Sequence, residues 1–93
     1  MIPVPLFPLG RIVATPGALD AMREAGQDPR QLLHRHNTGD WGDLCEEDEA
    51  ENNFSVPRRL RILSAYILST GVKVWVLTEA DRSATTLLLP SEY

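Results

Sequence analysis

The sequence predicts one small two-layer α+β domain, and three observations predict it. Ninety-three residues suffice for a single modest core, since a chain of this length buries roughly two thirds of its unfolded surface. The first two thirds carry three helix-start signatures, whereas the last third turns to Ile, Leu, Val, Trp and Tyr punctuated by turn signals. Helices packed on one face of an antiparallel sheet are the arrangement that such an order suggests.

Residues 1–8 contain Pro3, Pro5 and Pro8, which keep the start extended and non-helical. With no basic n-region and no long apolar run, it does not read as a signal peptide. Residues 9–14 (Leu-Gly-Arg-Ile-Val-Ala) read as a short strand able to join the edge of the later sheet. Thr15-Pro16 starts the first helix, Thr as N-cap and Pro at the first helical position. Leu19 and Met22 share a face of it, and Gly26 ends it. Asp28-Pro29-Arg30-Gln31 is a capping box for the second helix. Leu32, Leu33 and His36 form its apolar edge, and residues 37–39 stop it. Gly39-Asp40-Trp41-Gly42-Asp43 is a tight loop around an aromatic ring. Asp43-Leu44-Cys45-Glu46 is a further capping box, predicting an acidic third helix through about Phe54, with Leu44, Cys45 and Phe54 turned inward and Pro57 closing the segment. Residues 60–69, 72–78 and 84–89 then read as a three-stranded antiparallel meander, turned at Thr70-Gly71 and at the polar loop Glu79–Ser83. A meander leaves an edge strand, and dimerisation by edge pairing is one way to cover it.

Composition narrows the function classes. A net charge of −4 argues against direct nucleic-acid binding and against a membrane surface, both of which need a basic face. No run of 18 apolar residues predicts a membrane span. Cys45 is the single cysteine, which excludes an internal disulfide and fits a reducing, cytoplasmic setting. No cofactor motif is present. His34 and His36 lie two apart and point in different directions on a helix, so they cannot share a metal there, and no metal ligands are assigned. They read as one surface and one partly buried histidine. Cys45 reads as a buried structural thiol, free cysteine being among the most buried residue types.

Four features carry the candidate partner-binding residues. Trp41, flanked by Asp40 and Asp43, reads either as an exposed interface anchor or as a core ring held by two glycine turns. Seven acidic residues fall between positions 40 and 51, and Glu47 and Glu51 would present an electrostatic docking face. First-turn acids also favour the helix dipole, which accounts for Glu46 and Glu47 without any partner. Glu79, Asp81 and Arg82 form a polar hairpin loop that recognises a partner, or that is held by local Asp and Ser hydrogen bonds and an Arg–carboxylate pair.

Three segments, residues 7–19, residues 39–48 and residues 78–93, together resemble a family of small bacterial proteins of plasmids, integrative elements and prophages. The resemblance spans nearly the whole chain and carries no catalytic residue with it. It implies an accessory protein of a mobile element. Such factors often act by binding, including as inhibitors of restriction or CRISPR systems. The expected function is therefore a non-enzymatic protein-binding accessory factor whose partner is another protein, from the host or the element. The alternative is a small metal- or thiol-dependent enzyme using residues 34–46.

Overall fold

The computed structural model describes residues 4–93. In chain order it has strand β1 (Arg11–Ala14), helices α1 (Pro16–Ala25), α2 (Pro29–Asn37) and α3 (Glu46–Arg58), strands β2 (Ile62–Ile67), β3 (Lys73–Thr78) and β4 (Ala84–Leu88), and a final 3₁₀ turn over Pro90–Glu92. The class is α+β, as the sequence predicts.

Strands β2, β3 and β4 form the expected antiparallel meander, but the sheet as a whole is mixed. Its order is β1-β4-β3-β2, with β1 running parallel to β4. Parallel pairing needs a long crossover. The three helices between β1 and β2 supply it, and the chain re-enters the sheet at the far edge.

Alternation along the strands sorts side chains to two faces. Ile62, Ser64 and Tyr66, then Val74, Val76 and Thr78, then Thr85 and Leu87 all point to the helical side and are fully buried. Ala18 and Met22 of α1 and Leu32 and Leu33 of α2 pack onto Tyr66, Val74, Val76 and Leu87. A second cluster joins Phe7, Trp41 and Ile62, with Leu44 and Val56 against it. Among the described residues no α-helix covers the opposite face, where the final 3₁₀ turn packs on β3. There the C-terminal residue Tyr93 lies edge-on to Trp75, ring centroids 5.7 Å apart, and its hydroxyl accepts from Arg61 Nη1 at 2.7 Å.

The first two helices begin where their sequences predict, although only the Asp28 half of the capping box expected for α2 forms. Thr15 caps α1, its hydroxyl accepting from Ala18 N, and Asp28 caps α2 by accepting from Arg30 N. The third departs. Its N-cap is Cys45 rather than Asp43, with no side-chain cap; Glu46, Glu47, Asp48 and Glu49 stabilise its first turn through the dipole instead. Pro57 does not close it. The proline falls in the last turn, where its missing N–H forfeits a single bond, and α3 ends at Arg59 with φ 54°. Cys45 is exposed, not buried. Phe54 is about half exposed and lies under the Arg58 guanidinium at 3.8 Å. The inward positions of α3 are Asn52 and Ser55.

Asn52 shows how the outer edge of β2 is closed. Its side-chain amide donates to Leu63 O at 2.7 Å and accepts from Leu63 N at 3.2 Å, imitating a neighbouring strand. Two residues on, Ala65 N donates to Trp41 O and Ala65 O accepts from Asp43 N. Asp43 Oδ2 then accepts from Ile67 N at 2.8 Å. Every outward-facing amide of this edge strand is therefore occupied, the usual remedy for an aggregation-prone edge. Gly42 makes the approach feasible: it sits at φ 74°, and a Cβ there would run into the Ala65 carbonyl and the Tyr66 ring.

Candidate functional site

The 39–43 loop, the most unusual segment of the sequence, is an edge cover rather than an exposed recognition loop. Trp41 is 2% exposed, so its reading as a surface anchor is corrected. Its ring stacks on Phe7 at 6.3 Å and meets His36 edge-on at 6.0 Å, and its indole N–H donates to Asn53 Oδ1 at 3.0 Å. An aromatic ring with a single donor suits a buried site that offers it one acceptor. Trp41→Ala is therefore expected to destabilise the fold by roughly 3–5 kcal/mol, the usual cost of truncating a core tryptophan. Chemical denaturation checks it; an unchanged midpoint would return the ring to the surface.

The flanking carboxylates hold this loop. Asp40 takes a two-point bond from Arg35, at 2.7 and 3.2 Å, and accepts from Gly42 N. Arg35 first, and the Gly42 N–H with it, hold the Asp40 carboxyl below the ordinary carboxylate range, though burial opposes them. Arg35 also stacks over the Tyr66 ring, whose hydroxyl donates to Asp40 O at 2.8 Å. Burial pushes that phenol up to about 12.

The 79–83 loop is likewise built for structure. Asp81 accepts from Ser83 N at 3.0 Å, and its carboxyl is lowered by those Ser83 hydrogen bonds. Glu79 lies 3.6 Å from Arg61. Arg82, expected as a partner-binding or carboxylate-paired side chain, is instead 5% exposed and adopts φ 63°. Its Nη1 donates to the carbonyls of Leu60, Glu79 and Ala80, and its Nη2 to those of Ser55 and Val56 in the last turn of α3. The cation faces the negative end of the helix dipole in place of a carboxylate. It also lies over Phe7 at 5.4 Å, so Phe7 separates Arg82 from Trp41 inside the protein.

Beneath these loops runs a polar chain that the sequence shows only as a histidine on an apolar helix edge. Thr85 Oγ1 donates to Leu9 O at 2.7 Å, which uses its only hydrogen. Thr78 must then donate to Thr85 at 2.7 Å, and its oxygen is left to accept from His36 Nε2 at 2.8 Å. Nε2 therefore carries the imidazole hydrogen, and Nδ1 accepts from the Ser64 hydroxyl at 2.5 Å. Burial first, and the Arg82 charge second, push His36 down from 6.5 to about 3. Both ring nitrogens are committed, so His36 cannot activate Cys45. Among the described residues no three of His, Cys, Asp and Glu converge as metal ligands would.

Glu47 and Glu51 are the predicted residues that stand free on the surface of α3. Glu51 borders an open cleft of about 210 Å³ between α3 and β2, lined by Leu44, Asp48, Glu51, Asn52, Arg61 and Leu63. Its floor is apolar, Leu44 and Leu63, and its rim carries two carboxylates and one guanidinium. Asp48 and Arg61 are the additions to the predicted set. Their signal is present in the sequence only if α3 is taken to pack beside the strand that follows it.

Comparison of the chain with protein-family models, with curated proteins and with solved structures finds no match. Among the described residues no helix is long and apolar enough to cross a membrane.

Proposed function

We propose that this chain is a non-enzymatic protein-binding accessory factor of a mobile genetic element, docking on its partner through α3 and the cleft beside it. The observation that carries this reading is the cleft: an apolar floor of Leu44 and Leu63 beneath the Asp48 and Glu51 carboxylates. A Lys or Arg side chain matches that chemistry, its apolar stem on the floor and its charged head at the rim. Glu47, Glu49 and Glu46 on the same helix extend the negative field outward, which speeds encounter with a basic partner and selects against acidic ones. The partner is thus a protein with a basic, partly apolar patch. The mobile-element setting comes from the sequence resemblance, and a host defence complex such as a restriction or CRISPR assembly is the target class it suggests.

The thiol- or metal-dependent alternative draws less support. His36 is sealed in its hydroxyl chain, Asp40 is tied to Arg35, and Asp43 to Ile67.

The test is capture of the tagged protein's partner from a host lysate, with Glu47→Lys, Glu51→Lys as control. Both residues are exposed, so the double variant keeps its fold and loses only the first-turn dipole contribution of Glu47, on the order of 1 kcal/mol. One stoichiometric partner whose affinity falls at least about tenfold in the variant, and which releases as salt rises, is the expected result. A partner retained at full affinity by the variant would sink the cleft as the docking site.

A further inference from the structure

The two edges of the sheet are treated differently. The β2 edge is closed amide by amide, whereas among the described residues no strand pairs with the outer side of β1. Arg11 N donates to Ser83 O and Thr15 N to Leu87 O, so these residues bond inward to β4. Alternation then points the amides of Ile12 and Ala14 outward. The strand is short and begins at the charged Arg11, but it carries no proline, bulge or inward-pointing charge. Instead it exposes Ile12 at 46% and Val13 at 40%, one on each face of the sheet.

We infer that β1 pairs with β1 of a second copy of this chain, antiparallel about a two-fold axis at Val13, joining two four-stranded sheets into one of eight. The occupant follows from self-complementarity. With Val13 on the axis, the outward amides of Ile12 meet those of Ala14 of the partner subunit, so donors match acceptors around a central apolar pair; an axis at Ile12 would match them as well, and charge decides between the two. Val13 faces its own copy in the close, non-hydrogen-bonded pair, where side chains approach most nearly. Ile12 then covers the small Ala14 on the helical face.

Charge fits the same register. Arg11 comes opposite Thr15 of the partner subunit, and the Thr15 hydroxyl donates to Glu92 Oε1 at 2.6 Å. Arg11 forms no ion pair among the described residues of its own chain. The two-fold axis therefore sets Arg11 near a carboxylate twice and never places arginine against arginine. A shift that centres Ile12 would put Arg11 against Val13 and lose this match. The pairing uses neither α3 nor the cleft, so it stands or falls apart from the docking function proposed above.

Sedimentation and light scattering of the purified chain test it, together with cysteine cross-linking in a Cys45→Ser background. The expected result is a dimer at micromolar concentration that becomes monomer in Val13→Lys and in Arg11→Glu, both with unchanged circular dichroism. Under mild oxidation Val13→Cys should cross-link to its own copy, as Cα atoms in such a pair lie about 4.5 Å apart. Ile12→Cys should not, being displaced along the strand from its copy. A wild-type monomer at every concentration would overturn the inference. So would a dimer that survives Val13→Lys, or one that cross-links through Ile12→Cys but not Val13→Cys.

Discussion

Replacing Arg82 by alanine will lower the melting temperature by on the order of 15 °C, although the residue looks on paper like one more loop charge. The magnitude follows from what the guanidinium holds together. Its two terminal nitrogens bond five carbonyls drawn from three places: the last turn of α3, the α3–β2 link at Leu60, and the β3–β4 turn. Charged donors are worth more than neutral ones, and buried carbonyls stripped of their donor keep their desolvation cost. A loss of roughly 3 kcal/mol is the outcome, a large share of the stability of any small domain. In a chain of this size each kcal/mol moves the midpoint by about 4–8 °C.

Lysine will not rescue it. One ammonium carries the same charge but lacks the planar fork that reaches both sides at once, so Arg82→Lys should recover less than half of the lost stability. Were charge alone responsible, through the α3 dipole, lysine would recover most of it. If Arg82→Ala instead melts within a few degrees of wild type, the carbonyl cage is not holding these segments.

Arg82 also marks the boundary of what the sequence makes legible. Elements whose cause is local were readable. Thr15-Pro16 and Asp28-Pro29 start helices because their side chains cap amides two or three residues away, and Gly26 ends one by adopting φ 67°. The strands of the meander were readable from alternation and from the Thr70-Gly71 turn. Residues whose partner is distant in the chain are misplaced, left open or passed over by a local reading. Asp43 stands where an N-cap should, but its carboxylate serves Ile67, twenty-four positions on. Trp41 sits between acids and glycines like a display loop, yet its backbone and ring are spent on Ala65 and Phe7. Asn52 breaks the apolar phase of α3 because it imitates a strand. Only the position of β2 explains it, and no local pattern announces that position. The exposure of Glu47 and Glu51 is legible because it follows from the polarity of the helix alone, whereas the cleft beside Glu51 needs the fold.

His36 yields the second large effect, a loss of stability on mild acidification. Its imidazole is fully buried and neutral, with Nε2–H given to Thr78 and Nδ1 receiving from Ser64. Folding holds it near 3, against 6.5 ordinarily. Between those values the unfolded chain binds a proton that the folded chain refuses. Stability is therefore fully present above about 6.5 and falls by about 1.4 kcal/mol per pH unit as pH drops toward 3. From pH 7 to pH 5 the integrated loss is about 2 kcal/mol. The carboxyls of Asp28, Asp40, Asp81 and Glu92 are also lowered by their partners, but their contributions fade only below the ordinary carboxylate range, so the two windows separate. Urea denaturation at pH 7, 6 and 5 measures the slope, and His36→Gln is the control. The amide can still donate to Thr78 and accept from Ser64, but it does not titrate. The variant should be less stable at neutral pH yet nearly flat across this window. A wild type as flat as the variant would mean that His36 charges inside the fold, with Ser64 Oγ turning to accept from Nδ1–H, and would overturn the reading of a neutral ring held so by burial.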